Sequence, residues 1–330
     1  MVEGRKIHLT DTVEERIARR LIERRNLSPS VDVVSLIRLY ADFHEVTFPS
    51  DAEVDGLSLN IKALGKRATV LVNRNLPENR KRFTIAHELG HILIPSHCGS
   101  IIDDISSRVS HGPELYRERE AEANRFAAEL LMPYDFVIDM VQKCDNIKDS
   151  IIKISADCRT SLEATSLRVQ RIGPPNFIFS LENSGKIRRS GRTQRTRANM
   201  PIRGVPFSRD LVHPHDQYFR LDLGGGTLHI WHVRDSAQLP PQPGRASKEI
   251  LESICARLDL SDPKWAKMSI NGIVSVANGS VKQGRTRERV YAAILHNVAN
   301  RDTKNSDVFM IMNDTEFDDF LVARAYEFKI

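Results

Sequence analysis

The chain has 330 residues, 41% of them hydrophobic and 28% charged, with a formal net charge of +5. That length exceeds one typical core and implies two domains or three, while the composition excludes a disordered or fibrous chain. No apolar run approaches the ~20 residues that span a bilayer, so no membrane partner is expected. The N-terminus lacks the apolar stretch of a signal peptide. Cys98, Cys144, Cys158 and Cys255 are scattered, with no Cys-x-x-Cys pair. They read as reduced thiols, and the expected location is cytoplasmic.

Residues 11–25 place apolar side chains at helical spacing, with Asp11 or Thr12 as cap. A second helix follows Ser28-Pro29 and buries Val33, Val34, Leu36, Ile37 and Tyr40. Residues 56–61 and 68–73 alternate around Gly65, which predicts a β-hairpin. Arg80 to Ile94 reads as a long helix and Glu114 to Met132 as another, stopped by Pro133, with a polar irregular stretch from Cys98 to Pro113 between them. Tyr134 to Gly173 stays helical. Within it, Ile151 to Thr165 suggests two short helices joined by a tight turn, a pattern shared by helix-turn-helix units and small helical bundles.

Gly173-Pro174-Pro175 marks a boundary. Beyond it, Phe177–Leu181, Tyr218–Leu223 and Leu228–Val233 read as strands, and Ser247–Leu258 and Thr286–Asn297 as helices of a second, α+β domain. Gly224-Gly225-Gly226 reads as a hairpin turn rather than a phosphate cradle. Neither His229 with His232 nor His213 with His215 is spaced for a shared metal.

The chemistry is concentrated in the helix that carries His87-Glu88-Leu89-Gly90-His91. Four residues apart, His87 and His91 lie about 40° apart around the axis and face the same way, so two imidazoles can hold one ion. Glu88 sits beside that ion, where it can take a proton from an acidified water and pass it to a leaving amine. The helix is apolar nearly all round and therefore buried, a costly place for two histidines and a glutamate unless they are paired or metal-bound. A catalytic zinc needs a third protein ligand. Glu120 projects within the apolar arc of the next helix (Ala123, Phe126, Ala127, Leu130, Leu131) and is the first choice; Glu122, at the edge of that arc, is the alternative. Asn124, one turn on, can orient a ligand histidine. The same ligands also suit manganese or iron. If the strand 68–73 is a free edge, it can hold an extended substrate by β-addition.

Arg82-Phe83-Thr84-Ile85-Ala86-His87-Glu88-Leu89-Gly90-His91, followed by Glu120 to Pro133, resembles the ImmA/IrrE family of metallopeptidases. The strand at Val70–Asn73 and the turn at Gly56 also fit, and the likeness covers roughly residues 10–173. It implies a gluzincin-type Zn2+ site with His87, His91 and Glu120 as ligands and Glu88 as general base. It also implies a protein substrate, a helix-turn-helix repressor, cut at one or few sites. Relatives often carry a further histidine soon after the second ligand, in a run such as Leu-Leu-His; here Ile94 is followed by Pro95 and Ser96 before His97. His97 and His111 are weaker candidates for oxyanion stabilisation, or plain loop histidines.

The expected fold class is α+β. It comprises a mainly helical zincin-like metallopeptidase domain with a small β-sheet (1–140), a helix-turn-helix-like segment (141–175) and a C-terminal α+β sensory or recruitment domain (176–330). Between Glu182 and Asp210 there is no acidic residue, while Lys186, Arg188, Arg189, Arg192, Arg195, Arg197, Arg203 and Arg209 are cationic. Such a stretch attracts phosphates, so the segment 186–209 can contact nucleic acid or an acidic protein, or form a solvated loop. The core of the run has no aromatic residue for base stacking. A DNA-associated regulator that uses the zinc fold as a binding module is the alternative to a regulatory peptidase.

Overall fold

A computed structural model describes residues 12–49, 54–102, 113–196, 198–213, 215–234, 236–282, 284–299 and 306–330. Asp11, His111 and Arg197, and most of the stretch between Cys98 and Pro113, lie outside the described residues. The fold class is α+β, with two four-stranded sheets and twelve α-helices among the described residues. The chain divides into two compact units, 1–173 and 174–330.

In the first unit, α1 (Val13–Arg25) starts at Thr12, whose N–H and hydroxyl both donate to the Glu15 carboxylate, and stops where Asn26 turns left-handed. Asp32 caps the short α2 (Val33–Arg38). The strands β1 (Ala41–Val46), β2 (Gly56–Ile61), β3 (Ala68–Asn73) and β4 (Gly99–Ile102) form a sheet in the order β1-β3-β2-β4. β2 and β3 make the expected hairpin. β1 pairs parallel to β3 on its other side. Both edges of β3 are thus occupied, so the strand 68–73 cannot take a substrate by β-addition; the polar β1, unrecognised in the sequence, fills the place.

The long α3 (Glu78–Leu93) packs on β2, β3 and α4 (Pro113–Leu131). Gly90 makes the helix contact close, because a Cβ there would lie 3.1 Å from the Phe126 ring and 3.3 Å from the Ala123 Cα. α5 (Tyr134–Lys143), α6 (Ile147–Cys158) and α7 (Leu162–Ile172) complete the unit. Arg159, left-handed, ends α6, and Ser161 caps α7. This gives the predicted two helices and tight turn. α7 commits its cations to ion pairs, however. Arg168 is buried, hydrogen-bonded to the Glu129 carboxylate and the Met132 carbonyl, and lies 3.4 Å from Glu15; Arg171 reaches Glu15 at 3.0 Å. Arg19 pairs with Glu129 at 3.2 Å. One buried ionic network therefore joins α1, α4 and α7.

In the second unit, β5 (Phe177–Asn183), β6 (Lys186–Arg192), β7 (His215–Asp222) and β8 (Thr227–Val233) form an antiparallel sheet in the order β6-β5-β8-β7. Gly224 to Gly226 lie in the β7–β8 turn, as expected. The start of the basic segment is not a loop but the edge strand β6, an edge being where charged side chains are tolerated. Beyond it, α8 (Ser247–Arg257), α9 (Pro263–Ser280), α10 (Arg287–Val298), α11 (Ser306–Met312) and α12 (Phe317–Glu327) pack around Ile250, Ile270, Val274, Ile294 and Phe320. The four cysteines are free thiols. Among the described residues, no helix is long and apolar enough to cross a membrane.

Removing one member of a buried ionic network leaves a charge uncompensated and costs about 3–5 kcal/mol. Arg168→Met is expected near the low end, about 3 kcal/mol, because Arg19 and Arg171 still face the two glutamates. Denaturant unfolding of the first unit reads this directly, and a loss below about 0.5 kcal/mol, the size of an ordinary surface substitution, would contradict it.

Candidate metal centre

The helical spacing places His87, Glu88 and His91 on the part of α3 buried between the sheet and α4, with exposures of 4%, 1% and 0%. The two imidazoles meet edge-on, their Nε2 atoms 2.9 Å apart. From α4, Glu120 brings its carboxylate to 3.1 Å from His87 Nε2 and 3.3 Å from His91 Nε2. One ligand atom from each of the three lies within 4.8 Å of the others, a group that could hold a metal ion. Glu122 is turned elsewhere, with its carboxylate 2.8 Å from His97 Nε2.

The hydrogen bonds around this group fix its polarity. His87 Nδ1 lies 3.0 Å from the Asn124 amide oxygen, so it carries the proton and leaves Nε2 a lone pair. On the other side, the Glu122 carboxylate accepts from His97 Nε2. His97 Nδ1 is then the acceptor for the His91 Nδ1–H at 2.8 Å, and His91 Nε2 is again a lone pair. Burial pushes the His91 imidazole down to about 4, so it is neutral at pH 7 and its approach to Glu120 is not an ion pair. Burial alone would raise the Glu120 carboxyl; the facing imidazoles lower it to about 2 only when they turn an N–H or a positive charge toward it, which the tautomers above do not. Two imidazole lone pairs and a carboxylate thus converge in a buried space. That donor set fits a divalent cation, and two nitrogens with one oxygen match the ligand types of a metal that takes imidazole and carboxylate.

The Glu88 carboxylate lies against β2. The Ser58 hydroxyl donates to its Oε2. Gly56 gives it room, because a Cβ at that position would lie 2.5 Å from Glu88 Oε1 and 2.7 Å from Thr84 Cγ2. Neither contact could be read from the sequence, since both depend on how β2 lies across α3. Beside the centre, a groove of 660 Å3 runs between α3, α4 and α7. Phe83, Ala128, Met132, Ala164 and Leu167 give it apolar walls, and Asn124 joins it to His87. Arg80, Arg168 and Arg171 also line it, and no acidic residue does. His215, His229 and His232 are engaged separately in the second unit: His215 meets the Val212 carbonyl at 2.5 Å, His229 the Tyr218 hydroxyl at 2.7 Å and His232 Asp216 at 2.7 Å.

A helix bearing His-Glu-x-x-His, with a glutamate supplied by the following long helix, is the arrangement of a metallopeptidase-type domain. Residues 44–170 match the Peptidase_M78 family, described as the IrrE N-terminal-like domain. It is 23% identical over 228 residues to the radiation response metalloprotease IrrE of Deinococcus radiodurans, covering 62% of this chain and 68% of that protein. It is 26% identical over 133 residues to the protein of the same name from Deinococcus deserti, covering 37% of this chain and less than half, 46%, of the relative. A solved structure of a Mycobacterium tuberculosis transcriptional regulator superposes with a TM-score of 0.41 at 15% identity, over 66% of this chain and 74% of that one.

Proposed function

We propose that the chain is a zinc-dependent endopeptidase of regulatory type that acts in the cytoplasm. In this reading it cuts a protein partner, a helix-turn-helix repressor, at one or few sites in a stress, mobile-element or phage-defence response. The observation that carries the reading is the convergence of His87, His91 and Glu120 within 4.8 Å, with Glu88 on the same turn of α3. The name of the two Deinococcus relatives, radiation response metalloprotease, supports a protein substrate and a stress setting. Zinc bound by the three side chains supplies a Lewis acid that polarises the scissile carbonyl and acidifies water.

The remaining steps belong to the chain's own side chains. Glu88 takes the proton of the attacking water on its carboxylate and delivers it to the leaving amine. Ser58 and the space at Gly56 hold that carboxylate against β2. Asn124 fixes the His87 tautomer. The groove beside His87 receives an apolar side chain of the substrate. Glu88→Gln is expected to keep one zinc per chain by elemental analysis. It should lower cleavage of a co-encoded helix-turn-helix regulator by about 100- to 10,000-fold, the usual weight of a general base. Turnover equal to the parent would sink the role of Glu88.

A second reading, a DNA-associated regulator with little peptidase activity, is favoured by one observation. Lys186, Arg188 and Arg192 on β6, and Arg195 and Arg203 after it, are exposed. If they contact phosphates, the logarithm of the DNA affinity falls linearly with the logarithm of salt, and Arg188→Glu with Arg203→Glu lowers that slope by about 2. Binding that ignores salt, or no binding at low salt, would dismiss this reading.

A further inference from the structure

His97 occupies a position that neither its sequence context nor the helix period explains. It lies six residues past His91, beyond the end of α3 and after Pro95. Its side chain is nevertheless fully buried, with 0% exposure. Its N–H donates to the Ile94 carbonyl at 3.1 Å, closing a tight turn. Lys62, from the β2–β3 connection, donates to the carbonyls of Ile94 at 2.6 Å and His97 at 2.5 Å, so the turn is held from the far side of the hairpin. The imidazole spans the gap between α3 and α4, with Nδ1 2.8 Å from His91 Nδ1 and Nε2 2.8 Å from the Glu122 carboxylate.

We propose that His97 and Glu122 are positioning residues for the metal centre. Together they form a carboxylate–imidazole relay that orients His91 and fixes its tautomer so that Nε2 is the ligand atom. The inference rests on the zinc reading above and gives the two residues a role other than oxyanion stabiliser or ligand. The direction of the relay follows from its outer end. A carboxylate only accepts from an imidazole N–H, so Glu122 places the proton of His97 on Nε2. His97 Nδ1 then accepts from His91 Nδ1, and His91 can offer the ion only the lone pair on Nε2. The usual partner of a ligand histidine is a carboxylate or a carbonyl in direct contact. Here Glu122 is one imidazole further back, and His97 relays its polarity. Asn124 performs the corresponding task for His87 with a neutral amide. α4 therefore supplies Glu120 to the ion, Asn124 to one imidazole and Glu122 to the other through His97.

Cobalt(II) binding to the full-length protein tests this, with dissociation constants from chelator competition and visible spectra of the bound ion. His97→Leu and Glu122→Leu remove the acceptor and the end of the relay, and each is expected to weaken cobalt binding by ~10- to 100-fold and to alter the spectrum. His97→Gln can still accept from His91 and donate to Glu122, and Glu122→Gln can still accept from His97. Both conservative variants are expected to bind within about threefold of the parent, since the relay keeps its direction. Parent-like affinity and spectra in both leucine variants would overturn the proposal. So would equal losses in the leucine and glutamine variants, which would mark His97 and Glu122 as packing residues only. These outcomes leave the zinc reading standing as long as the parent binds cobalt. A parent that binds none would overturn that reading and the relay together.

Discussion

The first unit is organised around the burial of ionisable side chains in α3, where His87, Glu88 and His91 sit at 4% exposure or less. Desolvation makes such residues costly unless each polar atom is satisfied. Three elements meet most of that demand. β2 brings Ser58 to Glu88, α4 brings Asn124 to His87 and Glu120 to both imidazoles, and the turn after α3 brings His97 to His91. Close approach is a condition of all of these contacts. Gly90 allows α4 to lie against α3, and Gly56 allows β2 to cross above Glu88.

The second constraint is the buried ionic network of α1, α4 and α7. Arg168 and Arg171 are committed to Glu15 and Glu129, and the exposed positions of α7 include Glu163 and Leu167. That is a poor surface for phosphate contact. It is a suitable wall for the groove beside the metal centre, which Ala164 and Leu167 help to form. The two-helix pattern in the sequence therefore serves to shape a cleft in this unit. The exposed cations of the chain's basic stretch lie on β6 and the segment after it.

Local periodicity made much of this legible. Spacing of four residues predicted that His87 and His91 face one point, and the apolar arc of α4 predicted that Glu120 would join them; the three are brought together. Asn124 was read as an orienting residue for the same reason. Contacts set by chain reversal were not legible. His97 lies past the helix end, so no period connects it to His91, and only the Lys62 clamp and the fold of the turn deliver it. The helix α9 is not legible because Gly272 and Gly279, with Ile270, Ile273, Val274 and Val276, are poor helix formers, and packing overrides their propensity. Nor is β1, because Asp42, His44 and Glu45 mask a strand whose partner, β3, is distant in sequence. β6 was hidden by its own arginines, which an edge strand accommodates.

The central claim is that one metal ion is held by His87, His91 and Glu120. Crystals of the zinc-loaded protein, measured above and below the zinc absorption edge, test it most directly. The account predicts one anomalous peak per chain, ~2.0–2.1 Å from two imidazole Nε2 atoms and ~2.0–2.2 Å from a Glu120 oxygen, with His97 and Glu122 behind His91 and outside bonding distance. Zinc found on Glu122 or on a cysteine instead, with no peak between the two imidazoles, would contradict it.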